Sequence, residues 1–532
     1  MIEKEKFYIT TPIYYPSRKF TLGNCYTTVI CDALARFNKL LDKDVYFMTG
    51  TDEHGQKIAQ AAKLAGKTEM EYLDEMIADA KNLWELLGIK YDKFIRTTDD
   101  YHVSAVQKIF KDLYDKGYIY KSSYKGKYCV PCESFWTESQ LVDGKCPDCH
   151  REVVDQEEES YFFKLSGFGD KLIDLYKNNP EFLQPKSRVN EMVNNFIKPG
   201  LSDLCVSRTS VKWGVPVDFD DKHTVYVWID ALSNYITGLG YGSEDDTLYK
   251  KYWPADVHVI GKEIVRFHAI IWPAILMALD IPLPKRIFGH GWLLFGGDKL
   301  SKSKNVNSTE CVDPRVLVPR YSADAVRYIL LREIPFGNDG NYSTESFFAT
   351  INSDLANNYG NLVSRTFSML KKYCGSVIPG YEDTNEEIDK DLIKTVHEAV
   401  NETRKNVEAN LDPSKALGSI FEIFSKANKY IEVTEPYRLA KDENQKTRLG
   451  TVLRNLLESI RVGTILLSAF LPDCSKKVLD ALGLENAMYA DTKEFYKLPA
   501  GQTVAELGIL FPRIDADKEF EELAKIQEEN NN

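Results

Sequence analysis

Three lysines, Lys299, Lys302 and Lys304, fall within six positions, with Ser301 and Ser303 between them. The surrounding stretch, Phe295 to Asn307, reads F-G-G-D-K-L-S-K-S-K-N-V-N. Gly296 and Gly297 give it a hinge and few apolar residues anchor it, so a surface loop is expected. Cations on such a loop can close over a triphosphate and neutralise charge that builds in a transition state. Composition alone leaves a plain solvated loop open as well. A second constellation is Cys129, Cys132, Cys146 and Cys149, two C-x2-C pairs with thirteen residues between them. Each pair can present two thiolates to one ion, and two pairs complete a tetrahedron with no position left for water. One structural Zn2+ is expected, folding the knuckle rather than catalysing. A third is Gly50-Thr51-Asp52-Glu53-His54-Gly55, which follows a β-rich run. Acidic residues at the carboxyl end of a parallel strand sit where open α/β sheets bind ligands. Taken alone, Asp52 and His54 read better as a helix cap and a satisfied turn histidine.

These groups need elements to hold them. Lys6 to Ile13 is a β-rich run and Cys25 to Leu41 has helical apolar spacing, joined by a turn ending Thr21-Leu22-Gly23-Asn24. Strand, Gly-containing turn and helix N-terminus together make an anion site. Asp44 to Thr49 predicts a second strand. Thr68 to Leu87 predicts a helix with a Thr68/Glu71 capping box, and a helix starting at Asp99 or Asp100 ends at Gly117. Ile119 to Tyr128 predicts a hairpin turning at Gly126. Glu159 to Leu165, Thr224 to Ile229, Asp256 to Ile260 and Lys285 to Phe288 predict strands. From Ser322 onward the pattern is helical, ending in an acidic helix that frays.

The bulk properties agree with a soluble multidomain protein. Its 532 residues are 43% hydrophobic and 27% charged, enough for about three or four domains. No apolar run is long enough to span a bilayer and no signal-peptide core is present, so a cytoplasmic location is expected. The net charge of -12 argues against indiscriminate capture of nucleic acid, while local basic patches can still supply phosphate contacts. Six of the ten cysteines are scattered, which favours metal over a disulfide framework for the clustered four.

Lys299-Leu300-Ser301-Lys302-Ser303 resembles the Lys-Met-Ser-Lys-Ser signature of class I aminoacyl-tRNA synthetases, and Gly50 to Gly55 resembles a stretch of the methionyl-tRNA synthetases among them. The resemblance extends over nearly the whole chain. It implies a Rossmann-like parallel-sheet nucleotide-binding domain, split by a zinc-knuckle insertion and followed by an α-helical anticodon-binding bundle. It implies that L-methionine is activated by ATP with Mg2+ and transferred to tRNA(Met). Lys302 and Lys299 would act catalytically on the phosphates, with Thr21 and Asn24 standing where the family's signature histidines are. ATP would also meet Gly23, Gly261, Glu263 and Ser301; Glu263 replaces the family's usual Asp. Methionine would lie among Ile13, Tyr15, Trp228, Ala231, Leu232, Tyr235, Ile264 and His268, with Asp52 on its ammonium. A flexible thioether suits such aromatic and aliphatic walls, although a lone His268 on an apolar helix also suits a core. Asn361, Arg365, Pro436 and Tyr437 match the family's anticodon readers, with Tyr437 in place of Trp; unstacked bases are read by such edges and faces.

The implied domains are 1–117 and 216–294 for the two catalytic halves, and 118–215 for the insertion with its knuckle at 126–155. The lysine loop and stem-contact region would span 295–345, the bundle 346–512 and the acidic tail 513–532. A monomer is expected, since no oligonucleotide-binding extension follows the bundle. Two alternatives stay open: a class I synthetase for another amino acid, and a non-catalytic paralogue that binds tRNA or adenylate.

Overall fold

The computed structural model describes residues 4–531, apart from 132, 133, 137, 139, 140, 148, 296, 297, 300–312, 335 and 383–385; the side chains of 124, 125, 134, 135, 156–158, 298, 299 and 527–531 also lie outside the description. Six parallel strands form the central sheet: β1 (Lys6–Thr10), β2 (Asp44–Thr51), β3 (Lys93–Arg96), β4 (Leu183–Gln184), β5 (Val257–Gly261) and β6 (Ile287–His290). Their order is β3-β2-β1-β5-β6-β4. The strand order therefore reverses between β1 and β5, and a ligand crevice is expected at their carboxyl ends. Tyr8, Ile9, Phe47, Val257, Val259 and Ile287 are buried in these strands, as a parallel sheet covered on both faces requires.

Helix α1 (Leu22–Leu40) follows β1, with Thr21 as its N-cap. Gly23 and Asn24 thus lie inside the first helical turn rather than in the preceding loop. Two glycines near β2 are dictated by geometry. A Cβ on Gly50 would stand 2.1 Å from the Ile95 carbonyl oxygen in the adjacent strand. Gly55 adopts φ 110° as it caps the helix Gln56–Leu64, a conformation that suits glycine. The predicted Thr68/Glu71 box caps the helix Glu69–Leu86. Helix α2 (Val227–Thr237) begins where the sequence predicted a strand to Ile229; the strand is limited to Thr224–Val225. Every residue of α2 from Ile229 to Thr237 is buried. The run of β-branched and aromatic residues continues from the strand into the first turn of the helix, which explains the misreading.

The insertion differs from expectation at Gly126. Ile119–Cys129 is one continuous strand, paired antiparallel with Val154–Phe163 from Ile119 opposite Phe163 to Tyr128 opposite Val154. Cross-strand ion pairs run along it, Lys121 to Glu159 at 2.8 Å and Lys127 to Asp155 at 2.9 Å. The same insertion supplies β4, which pairs with β6 through Leu183 and Gln184. Part of the inserted chain is therefore an edge of the central sheet.

Downstream, Asp298–Lys299 pairs antiparallel with Leu293–Phe295, which runs parallel to Gly340–Tyr342. The start of the predicted loop is thus a ribbon. The bundle follows. Thr344–Thr350, a π-helical stretch Ile351–Gly360 and Asn361–Cys374 form one continuous rod. Helix Lys446–Leu467 is buried from Leu449 to Leu467. Its Glu458 lies between Arg454 and Arg461 and accepts from the Lys497 and Leu498 backbone, so its charge is paired. The bundle packs directly on α1: the Phe37 ring lies 6.1 Å from that of Phe470. Arg327 bridges Asp32 of α1 at 2.7 Å and the Phe470 carbonyl at 2.8 Å. The acidic C-terminal helix, Ala516–Asn531, docks where fraying was expected. Leu523 is buried, Phe520 packs on Phe348, and Glu519 accepts from Arg320 and Tyr321.

Candidate active site

A cavity of about 220 Å³ opens at the carboxyl ends of β1, β2 and β5. Ile13 and Tyr15 reach it from beyond β1 and Asp52 from the end of β2; Trp228, Ala231, Leu232 and Tyr235 come from α2, and Ile264 and His268 from beyond β5. All nine residues expected around methionine therefore line one space. Pro12, Lys57, Val227 and Asn234 line it too; nothing in their types marks them in the sequence.

The segment after β1 is laced to β2. Thr11 N–H donates to the Met48 carbonyl at 3.1 Å, Tyr14 N–H to Gly50 at 2.9 Å, and Asp52 N–H to Tyr14 at 2.9 Å. These bonds set Ile13, Tyr15 and Asp52 relative to each other. On the opposite wall, Trp228 stacks on Phe267, with centroids 3.5 Å apart and planes 8° apart. Tyr235 is buried and its hydroxyl meets His268 Nε2 at 2.7 Å, while His268 Nδ1 meets the Ile264 carbonyl at 2.9 Å. A carbonyl only accepts, so Nδ1 carries the proton and Nε2 accepts from the tyrosine. Burial pushes the His268 imidazole down to about 4, which keeps it neutral. His268 lies in a π-helical stretch, Phe267–Ile271, a local widening frequent at functional sites.

A buried ionic cluster stands behind the cavity. Asp230 Oδ2 lies 2.7 Å from His54 Nδ1 and its Oδ1 lies 2.8 Å from His102 Nε2. Burial would raise the Asp230 carboxyl, yet the two imidazoles hold it down at about 2. Burial likewise disfavours charge on His54, but Asp230 raises it above its ordinary range. Glu53, also buried, accepts from Arg96 at 2.9 Å and Thr98 at 2.6 Å. The strand-end segment is thus fixed on both sides. His54 sits in a motif visible in the sequence; nothing there pointed to His102.

The residues expected to meet ATP lie on other pieces. The Asn24 amide oxygen accepts from Thr21 N–H at 3.1 Å, closing the first turn of α1. A Cβ on Gly261 would meet the Glu263 carboxylate at 2.6 Å. Glu263 in turn accepts from the Trp292 indole at 2.7 Å. The Lys299 backbone pairs opposite Leu294, while its side chain, together with Ser301 and Lys302, lies outside the described residues.

In the knuckle, the Sγ atoms of Cys129, Cys146 and Cys149 lie within 4.8 Å of one another. A tetrahedral zinc–thiolate site has sulfur–sulfur edges of about 3.8 Å, so these three can hold a metal ion. Cys132 lies outside the described residues. In the bundle, Asn361 and Arg365 are exposed on one helix. Asn358, on the π-helical stretch before them, is bonded to Ser425 and Asn428. Pro436 is buried at the start of a short helix, and Tyr437 is exposed with its hydroxyl on Glu435 at 2.7 Å. Among the described residues, no helix is long and apolar enough to cross a membrane.

Comparison with known proteins is consistent along the length. The family described as tRNA synthetases class I (M) matches residues 7–157 and 151–367, and the anticodon binding domain of methionyl tRNA ligase matches 379–529. Methionine–tRNA ligase of Clostridium acetobutylicum is 55% identical over 99% of this chain and 81% of its own length. That of Clostridium perfringens is 56% identical over 98% of this chain and 80% of its own. A structure of Mycobacterium tuberculosis methionyl-tRNA synthetase in complex with methionyl-adenylate superposes with a TM-score of 0.91 at 40% identity, covering 96% of this chain and all of that one. The chain belongs to the methionyl-tRNA synthetases, within class I of the aminoacyl-tRNA synthetases.

Proposed function

We infer that the protein is a methionine–tRNA ligase (EC 6.1.1.10), charging tRNA(Met) for protein synthesis in the cytoplasm. The observation that carries this reading is the cavity at the strand-order reversal, walled by aromatic and aliphatic groups with one carboxylate, Asp52, at its edge. The α-ammonium of methionine pairs with Asp52, and its thioether lies between Trp228, Tyr235, Ile264 and His268. Neutral His268 and the Tyr235 hydroxyl form a closed pair, so the pocket floor presents no net charge to sulfur.

With methionine seated, its carboxylate oxygen attacks the α-phosphorus of Mg2+-ATP in line. The bond to the β-phosphate oxygen breaks and pyrophosphate leaves, giving methionyl-adenylate. A terminal ribose hydroxyl of the tRNA then attacks the activated carbonyl, and AMP departs. No protein nucleophile is needed; positioning and charge neutralisation lower the barrier. Lys302, supported by Lys299 and Ser301, takes the departing pyrophosphate. Thr21, Gly23 and Asn24 meet the phosphates at the α1 N-terminus, where N–H groups and the helix dipole favour anions. Gly261 and Glu263 face the nucleoside. Cys129, Cys132, Cys146 and Cys149 hold one Zn2+, which cross-links the knuckle when bound. Asn361, Arg365 and Tyr437 read the anticodon, with Pro436 setting the turn before Tyr437.

ATP–pyrophosphate exchange measured with each of the twenty amino acids tests the reading. Exchange with methionine alone is expected, followed by charging of tRNA(Met). Exchange driven by another amino acid, or none with any, would overturn it. Homocysteine is the closest competitor, since one methyl group separates the two by only about 1–3 kcal/mol.

A further inference from the structure

Asp230 belongs to none of the groups that line the cavity, yet it joins the two walls that do. It lies in α2 between Trp228 and Ala231, both in the lining, while His54 follows Asp52 by two residues. The Asp230–His54 contact at 2.7 Å spans 176 residues of sequence. It ties the corner that takes the amine to the helix that takes the thioether. His102, on the helix Asp100–Asp115, adds a second constraint. Its Nε2 meets Asp230 Oδ1 at 2.8 Å and its Nδ1 meets Thr237 Oγ1 at 2.6 Å. Asp230 and Thr237 are two turns apart on one face of α2. One imidazole therefore fixes both the rotation and the axial position of that helix. Asp230, His54 and His102 are all buried, so water does not substitute for a lost partner without cost.

We propose that Asp230, clamped between His54 and His102, is a positioning residue that sets the separation between the ammonium-binding and thioether-binding walls of the amino-acid cavity. This rests on the methionine reading above. Its signature is selective. Losing the clamp loosens the fit to methionine, while the phosphate end, built from α1 and the segments after β5 and β6, keeps its geometry.

The test is steady-state ATP–pyrophosphate exchange on the full chain, comparing Asp230→Asn, His54→Ala and His54→Asn with the wild type. Asp230→Asn turns an N–H toward an imidazole N–H, and His54→Ala removes one donor. Each is expected to raise the KM for methionine about tenfold or more, with the KM for ATP within about twofold. His54→Asn keeps an N–H near the Nδ1 position and is expected to restore the KM for methionine to within about threefold of wild type. Equal changes in both KM values, or His54→Asn behaving like His54→Ala, would overturn the proposal. If Asp230→Asn does not fold by circular dichroism, the two His54 variants decide alone. A wild type that shows no methionine-dependent exchange would instead remove the underlying functional reading.

Discussion

The cavity proposed for the amino acid and the groups proposed for the phosphates are built in different ways. The first is a packed object. Its walls come from strand ends and a fully buried helix, laced by backbone hydrogen bonds and backed by buried, paired charges. The second, as proposed, rests on a helix N-terminus, an exposed Glu263, Lys299 at the end of a short ribbon, and Lys302. Where recognition is of a fixed shape, packing sets it before the ligand arrives. Where charge develops during the reaction, groups that approach the phosphates carry the rate. Damage to the first should therefore appear as lost affinity for methionine, and damage to the second as lost turnover.

The largest expected effect breaks the comparison if it fails. Lys302→Ala should lower kcat for exchange about a hundredfold or more, with methionine binding by equilibrium dialysis within about twofold of wild type. A matching loss of methionine affinity would merge the two ends. Next, Asp52→Asn should raise the KM for methionine by about ten- to a hundredfold, since a charge-assisted contact is worth about 1.5–3 kcal/mol, with kcat much less affected. The Asp230 clamp sharpens the comparison through stability. Its carboxyl is held at about 2 against an ordinary 3.8. A depressed carboxyl contributes stability above its unfolded value and loses it as pH falls. The gap in unfolding free energy between wild type and Asp230→Asn should thus narrow by about 2 kcal/mol from pH 5 toward pH 2, read by urea titration. The smallest effect is at the pocket floor. His268→Asn shortens the side chain and leaves the Tyr235 hydroxyl without its acceptor, for about a five- to tenfold rise in the KM for methionine.

Much of this was legible in the sequence, for reasons that differ by element. β1, β2 and α1 carry local signals, apolar runs and a helical period, and form close to where those signals put them. The cavity residues became legible only as a set, through the family pattern; singly, Trp228 or His268 reads as core. The start of α2 was misread because β-branched and aromatic residues run on from the strand into its first turn, and the strand through Gly126 because its partner lies beyond the knuckle. The C-terminal helix was legible but its docking was not, because charge dominates its composition while Glu519, Phe520 and Leu523 make the contacts. The His102 contact is a tertiary fact with no local trace.

The edge strand β4 carries a consequence for anyone treating the inserted region as a detachable module. Excising 118–215 would strip Leu183 and Gln184 from β6, leaving a raw flank of hydrogen-bonding groups open to other chains. A trimmed version of this protein that keeps only the knuckle's neighbours should retain the stretch through Gln184, or supply a surrogate strand in its place.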